Sequence, residues 1–293
     1  TLDAVAAANS GHSGMPMGMA DVATVLFFNH LKFDPKAPLW TDRDRLILSA
    51  GHGSMLLYSL LYLTGYNDFP LEEIKNFRQL GAKTAGHPEN FLSDAIETTT
   101  GPLGQGIANS VGFAMAEEIQ RANFGKSIVD HYTYVFAGDG CLMEGVSQEA
   151  ITIAGRQKLS KLIVFWDNNS ITIDGKVELS DNTNQIERFR SSGWHVLEID
   201  GHNPVEIDRA IIEAKKSNNP TMIACETHIA LGSSAQDTSK GHGALTDSKL
   251  IEETKKVYGW SQEKFYVPPE VKKDWEEIGK KGQKEKLSWE KRY

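Results

Sequence analysis

Only two cysteines, Cys141 and Cys225, stand in 293 residues. So few exclude a disulfide framework, and a reducing cytoplasm is the expected compartment. Long apolar runs are missing too. No stretch approaches the roughly 20 residues that a bilayer-spanning helix needs, and the opening residues do not read as a signal peptide, so no membrane partner is expected. Positive charge is in deficit, with 31 Lys and Arg against 39 Asp and Glu and a formal charge of −8. Such a surface does not favour a polyanion, which excludes nucleic acid as an expected partner. Small anions are not excluded, because local sites bind them. Internal repeats are absent, and no low-complexity linker divides the first 260 residues.

What is present suits a globular protein. Apolar residues make up 40% and charged residues 24%, enough to build a core. A chain of this length buries roughly three quarters of its unfolded surface, in one large core or two small ones. Short apolar runs at Arg45 to Ser49, Tyr132 to Ala137, Lys161 to Trp166, His195 to Ile199 and Thr221 to Cys225 are nearly continuous, as buried parallel strands are. Helical patterns lie between them. Leu103, Ile107, Val111, Met115 and Ile119 recur every four residues as one apolar stripe. Asn203-Pro204 predicts a helix start, with Asn203 as the cap, Glu206 as the capping acid, and Ile207, Ala210, Ile211 and Ala214 as the buried face. Strands alternating with helices predict a doubly wound, mostly parallel α/β sheet with helices on both faces. Ligands of such sheets bind at the carboxyl ends of the strands.

The chain opens at Thr1 with a helical pattern already under way and no initiator Met, which reads as a missing N-terminal piece. From Val267 onward Lys and Glu dominate, the pattern of a solvated helix or a run into a linker. The expected organisation is residues 1–262 as one domain and 263–293 as a charged segment leading toward a second domain.

Chemistry concentrates at strand ends. The run Tyr132 to Ala137 enters Gly138-Asp139-Gly140, and the run Lys161 to Trp166 enters Asp167-Asn168-Asn169. Gly-Asp-Gly alone reads as a turn. Thirty positions separate Asp139 from Asn169, room for a helix and a returning strand, so a right-handed crossover places both turns at one sheet edge. Asp139, Asn169 and a nearby carbonyl are then hard oxygen ligands for Mg²⁺ or Ca²⁺, with phosphate completing the shell. A dinucleotide fingerprint is the weaker reading, since the third glycine is out of register. The glycine-rich stretch from Thr98 to Gly106 opens the striped helix. It fits phosphate at a helix N-terminus and close packing of small residues equally well.

Five of nine histidines follow a glycine, and four of them are the candidates: Gly11-His12, Gly51-His52-Gly53, Gly86-His87 and Gly241-His242-Gly243. Glycine leaves an imidazole accessible, and imidazoles donate to phosphate oxygens or move protons near neutral pH. His30, His131, His195 and His228 lack this context, and these four read as structural, as does His202 despite Gly201. No short His-x-x-His or Cys-x-x-Cys spacing supports zinc.

Together these residues resemble the transketolase family, from Asn9-Ser10-Gly11-His12 to about Trp260. The signature of the thiamine-diphosphate fold stands at Gly138-Asp139-Gly140 and Asn168-Asn169. Around it stand Pro16 to Asp21, Asp42 to Arg45, Lys75 to Leu80, Glu97 to Gly106 and Gly138 to Gly145. The last two resemble transketolase more than deoxyxylulose-phosphate synthase or phosphoketolase. The resemblance implies a thiamine-diphosphate-binding fold that moves a two-carbon ketol unit from a ketose phosphate to an aldose phosphate in the pentose phosphate pathway. It implies a metal, Mg²⁺ or Ca²⁺, on Asp139, Asn169 and the Ile171 carbonyl. Thiamine diphosphate would touch His52, Gly101, Pro102, Leu103, Gly140, Asn169 and His242. His12, His87 and His242 would line the sugar channel and act in catalysis, while Glu144 matches an acid near a subunit interface and the cofactor.

Ser13 stands where the family usually has Pro, Gly53 where it has Ala, and Ala85 where it has Pro. Altered kinetics are the most that these predict. The glutamate that activates the cofactor, and the arginines that grip substrate phosphate, lie in a second domain in the family. The resemblance therefore predicts a homodimer or a second-domain partner that completes the active site. Alternatives are another thiamine-diphosphate enzyme, a non-catalytic or split subunit, and a nucleotide-binding dehydrogenase.

Overall fold

The computed structural model describes all residues, 1–293. Five strands form one sheet: β1 (Arg45–Leu48), β2 (Thr133–Gly138), β3 (Leu162–Asn168), β4 (His195–Asp200) and β5 (Thr221–Glu226). Every pairing is parallel, in the order β1-β2-β3-β5-β4. The central strands are buried at every residue but the last because helices cover the sheet, which is why their sequence lacks alternation. At the edge, β4 is half exposed. Parallel pairing puts all five carboxyl ends on one side, and the site forms there.

Helices α1 (Ser54–Thr64), α2 (Gln105–Phe124), α3 (Gly145–Gln157), α4 (Pro204–Ala214) and α5 (Pro269–Glu290) supply most of the covering layers. The cap of α4 follows the expectation. The Asn203 side chain accepts from the N–H groups of Val205 and Glu206 at 3.1 and 3.3 Å. The carboxylate of Glu206 accepts from Asn203 Nδ2 at 3.0 Å and from the Asp200 N–H at 3.1 Å, tying the helix to the end of β4. Ile207, Ala210, Ile211 and Ala214 are buried as predicted.

The stripe on α2 is buried only at its start. Ile107 and Val111 are in the core, but Met115 and Ile119 are exposed. An i, i+4 row advances about 40° around the helix at each step, so five members cannot share one face. The buried face runs instead through Gly106, Ile107, Ser110, Val111, Ala114 and Glu117. The last of these ion-pairs with the buried Lys161 at 2.6 Å.

The charged segment is a helix with one buried face. Along α5, Trp275 and Ile278 join the main core, and Trp275 meets Phe28 edge to face at 4.8 Å. Trp289 donates to the Ile128 carbonyl at 2.7 Å. The reading as a solvated helix therefore holds only for the outer side. A side chain on Gly282 would begin 1.4 Å from the Phe33 carbonyl oxygen, and one on Gly279 2.3 Å from that of Thr64. Those contacts are backbone, so they cannot yield. Gly282→Ala is expected to unseat α5 at a cost of about 3 kcal/mol. Thermal unfolding and limited proteolysis beyond residue 269 check this, and an unchanged melting temperature would refute the seating.

Candidate active site

At the end of β2, Gly138 is extended and Asp139 begins a five-residue helix, Asp139–Met143. Oδ1 of Asp139 accepts from the Trp166 indole N–H at 3.1 Å. Oδ2 is buried and has no partner. At the end of β3 the Asn169 amide is fixed from both sides. Its Oδ1 accepts from the Ile171 N–H at 2.9 Å, and its Nδ2 donates to Asp167 at 3.0 Å. The other Asp167 oxygen accepts from the Thr227 hydroxyl, just beyond β5. Ser170 takes the left-handed conformation, φ 62°, and its carbonyl accepts from the Val177 N–H at 2.9 Å. That turn brings the Ile171 backbone back beside Asn169.

Burial raises Asp139 to about 7, and the nearby Asp167 adds repulsion. Burial likewise lifts Asp167 to about 6. Two crowded carboxylates and an orphaned carboxylate oxygen are what a site for a hard cation requires. No cluster of three or more His, Cys, Asp or Glu side chains offers a zinc-like alternative.

Beside Asp139 lies a cavity of about 320 Å³. His12, His52, His87 and His242 all line it, brought from four separate segments of the chain. The ring centroids of His52 and His242 are stacked 5.0 Å apart. His12 sits 5.0 Å from His52 and 5.6 Å from His242. The other five histidines behave differently. His30, His131, His195, His202 and His228 each contact a carboxylate, on Asp208, Asp42, Glu213, Asp21 and Asp237. The four cavity rings have no carboxylate, and Nδ1 of His12 and of His242 is buried without a partner. Burial, and then the charge of the neighbouring His242, hold His12 down at about 4 and His52 at about 3. Burial also lowers His87 and His242. The cavity thus presents neutral imidazoles with free nitrogens.

The glycine-rich turn divides its work. Gly101 and Leu103 line the cavity, as do Gly140, Asn169 and Ile171. The Thr100 hydroxyl donates to the Leu48 carbonyl at 2.8 Å and locks the turn to the end of β1. Gly106 serves close packing, since a side chain there would lie 2.5 Å from Ser49 Cα. Pro102 and Glu144 are exposed and do not line the cavity. Sequence reasoning missed Asp167 and Thr227, which orient Asn169. Both sit at or just past a strand end, so the rule that located Asp139 also reaches them. Met15 and Ile229 add apolar wall, with no signal in the sequence beyond hydrophobicity.

The family model described as the thiamine diphosphate binding domain of transketolase matches residues 1–293. The chain belongs to the transketolase family. The Rhodobacter capsulatus transketolase is 59% identical over 292 residues, covering 99% of this chain and 44% of that protein. Escherichia coli transketolase 1 is 50% identical over 299 residues, covering 100% of this chain and 45% of its own. Among solved structures, the transketolase of Campylobacter jejuni superposes with a TM-score of 0.96 at 44% identity, covering 99% of this chain and 46% of that one. The Pichia stipitis transketolase, solved in complex with sedoheptulose-7-phosphate, superposes at 0.95 with 47% identity, covering 99% and 44%. The chain spans less than half the length of these relatives. Its parallel five-stranded sheet is the thiamine-diphosphate-binding α/β fold of the transketolases.

Two of the positions expected to depart from the family pattern, Gly53 and Ala85, have structural correlates. A side chain on Gly53 would lie 2.6 Å from Met15 Sδ, so Gly53 makes room for a cavity-lining thioether. The Ala85 carbonyl accepts from the Tyr58 hydroxyl at 3.0 Å, and that hydroxyl also lies 3.1 Å from the His87 carbonyl. The His87 loop is therefore pinned without proline.

Proposed function

We propose that this chain supplies the diphosphate, metal and sugar-channel half of a transketolase active site, for ketol transfer from a ketose phosphate to an aldose phosphate. The observation that carries this reading is four unpaired, glycine-flanked histidines sharing one cavity with the orphaned oxygen of Asp139. Asp139, Asn169 and the Ile171 carbonyl would hold Mg²⁺ or Ca²⁺. His52, Gly101, Leu103, Gly140, Asn169 and His242 would contact thiamine diphosphate, with Pro102 and Glu144 at the rim toward a partner. The cofactor, when bound, supplies the carbanion chemistry.

The chain's own residues bind and orient. Neutral imidazoles of His12, His87 and His242 can each donate one hydrogen bond and accept another, which suits sugar hydroxyls and proton movement during transfer. Asp167 and Thr227 keep the Asn169 amide turned toward the metal position. The apolar walls from Met15, Leu103 and Ile229 exclude water. A homodimer, or a second domain joined to this one, would supply the remaining groups, and the expected compartment is the cytoplasm. No helix is long and apolar enough to cross a membrane.

Thiamine diphosphate with Mg²⁺, at a hundred times its dissociation constant, should stabilise the chain by about 2.7 kcal/mol. Either component alone should do little. In the enzyme containing this chain, sedoheptulose-7-phosphate with an aldose phosphate should turn over, and His242→Ala should weaken cofactor binding and lower turnover. A thermal shift produced equally by a nicotinamide dinucleotide would favour the dehydrogenase reading. Kinetics unaltered in His242→Ala would remove that residue from the site.

A further inference from the structure

His12 and His242 come from opposite ends of the chain, yet their rings meet edge to face at 5.6 Å and 89°. Neither ring is held by a hydrogen bond of its own, and Nδ1 of each is buried and free. Their spacing must therefore come from the backbones that carry them. Ser13, next to His12, is fully buried. Its N–H donates to the Gly243 carbonyl at 2.9 Å. Its hydroxyl oxygen accepts from the Leu245 N–H at 3.4 Å. The flanking contacts are close: a side chain on Gly14 would lie 2.4 Å from the Gly241 carbonyl oxygen, and the Gly14 carbonyl accepts from the Ala230 N–H at 3.1 Å. Ser13 is thus bonded through both its main chain and its side chain to the residues that follow His242.

We propose that Ser13 is a positioning residue, whose two bonds fasten the His12 loop to the His242 loop and set the spacing of the two imidazoles that a sugar substrate meets. The assignment rests on the proposed function for its kinetic consequence, though not for its geometry. A buried residue of the same size without the hydroxyl would lose one bond, and an imino acid would lose both. His87 stands on a loop pinned by Tyr58, so it should not feel the change.

The test compares Ser13→Ala, Ser13→Pro and Ser13→Thr in the enzyme containing this chain. Ser13→Ala should raise KM for the sugar phosphate about five-fold with little change in kcat, the worth of one buried hydrogen bond. Ser13→Thr, which keeps both bonds, should stay near wild type. So should Ser13→Pro, the usual residue of the family here, because its fixed φ of about −65° replaces the two bonds as the constraint on the loop. Ring nuclear magnetic resonance signals of His12 and His242 should shift in Ser13→Ala, their mutual ring contacts should weaken, and His87 should be unmoved. Unchanged ring signals and KM in Ser13→Ala, whatever the melting temperature, would overturn the assignment. A wild-type enzyme inactive on sugar phosphates would count against the proposed function alone, and the ring signals would still decide the role of Ser13.

Discussion

Asp139→Ala should abolish metal-dependent binding of thiamine diphosphate while the chain stays folded. The carboxylate sits at the end of β2 with one oxygen on Trp166 Nε1 and the other buried and unpartnered. If Oδ2 is a metal ligand, its loss should exceed the ten- to hundred-fold typical of removing an outer supporting group, so a loss of affinity beyond about a hundred-fold is expected. Stability should move the other way. Burial raises the Asp139 pKa from 3.8 to about 7. Between those values the folded state holds the proton more tightly than the unfolded state, so this group's contribution falls as pH rises through the window. At pH 7 and above, the ionised carboxylate without a metal costs up to about 4 kcal/mol at 1.36 kcal/mol per unit. Asp139→Asn keeps an oxygen for Trp166 and removes that cost. It should melt higher than the wild type without metal, and lower than the wild type with metal and cofactor. Calorimetric titration of the diphosphate with and without Mg²⁺ measures the first effect, and paired melts measure the second. Retained cofactor affinity in both variants would remove Asp139 from the metal site.

Acid should destabilise the chain through His12 and His52. Their folded values, about 4 and about 3, lie below the ordinary 6.5. As pH falls below 6.5, the unfolded imidazoles take up protons that the buried ones refuse, and stability drops until the folded values are reached. At pH 4 the more deeply buried His52 taken alone accounts for about 3 kcal/mol, and the partly exposed His12 for less, because solvent screens it. The two are not additive, because the charge of His12 is among the causes that hold His52 down. Whole-domain stabilities are about 5–15 kcal/mol, so the effect is large. Asp139 and Asp167 act with the opposite sign over part of this range, since their raised values favour the folded state as pH falls. The comparison that isolates the imidazoles is therefore wild type against His12→Asn/His52→Asn, by urea unfolding at pH 7 and pH 4.5. The stability gap between variant and wild type should shift in the variant's favour at the lower pH. A gap independent of pH would show that these rings are not held neutral.

Much of the candidate site was legible as chemistry placed after strands. Asp139, Asn169 and His52 each follow a run that forms a parallel strand, and parallel strands end on the same side of a sheet. The glycine flanks of His12, His87 and His242 were a second signal, because a ring freed by its neighbours can face a cavity. Less could be read from the helices. The four-residue spacing on α2 identified the helix and mistook its face, because periodicity at i+4 drifts and only the packed neighbours show where burial stops. The seating of α5 was hidden for another reason. Two of its contacts are glycines, which add no hydrophobicity to a pattern yet allow the closest approach.

The amino-acid sequence by itself determined the fold class, the strands and the residue types at their ends, because burial on both faces of a parallel sheet imposes continuous apolar runs. Glycine flanks also set the four cavity histidines apart from the other five, His202 after Gly201 excepted. Only the tertiary structure decided which groups are satisfied. It paired each of the five with a carboxylate, left the four without one, freed one oxygen of Asp139, turned Asn169 on Asp167 and Thr227, and joined Ser13 to residues more than two hundred positions away. Hydrogen bonds and desolvation depend on distance in space, and that distance exists only once the chain has packed.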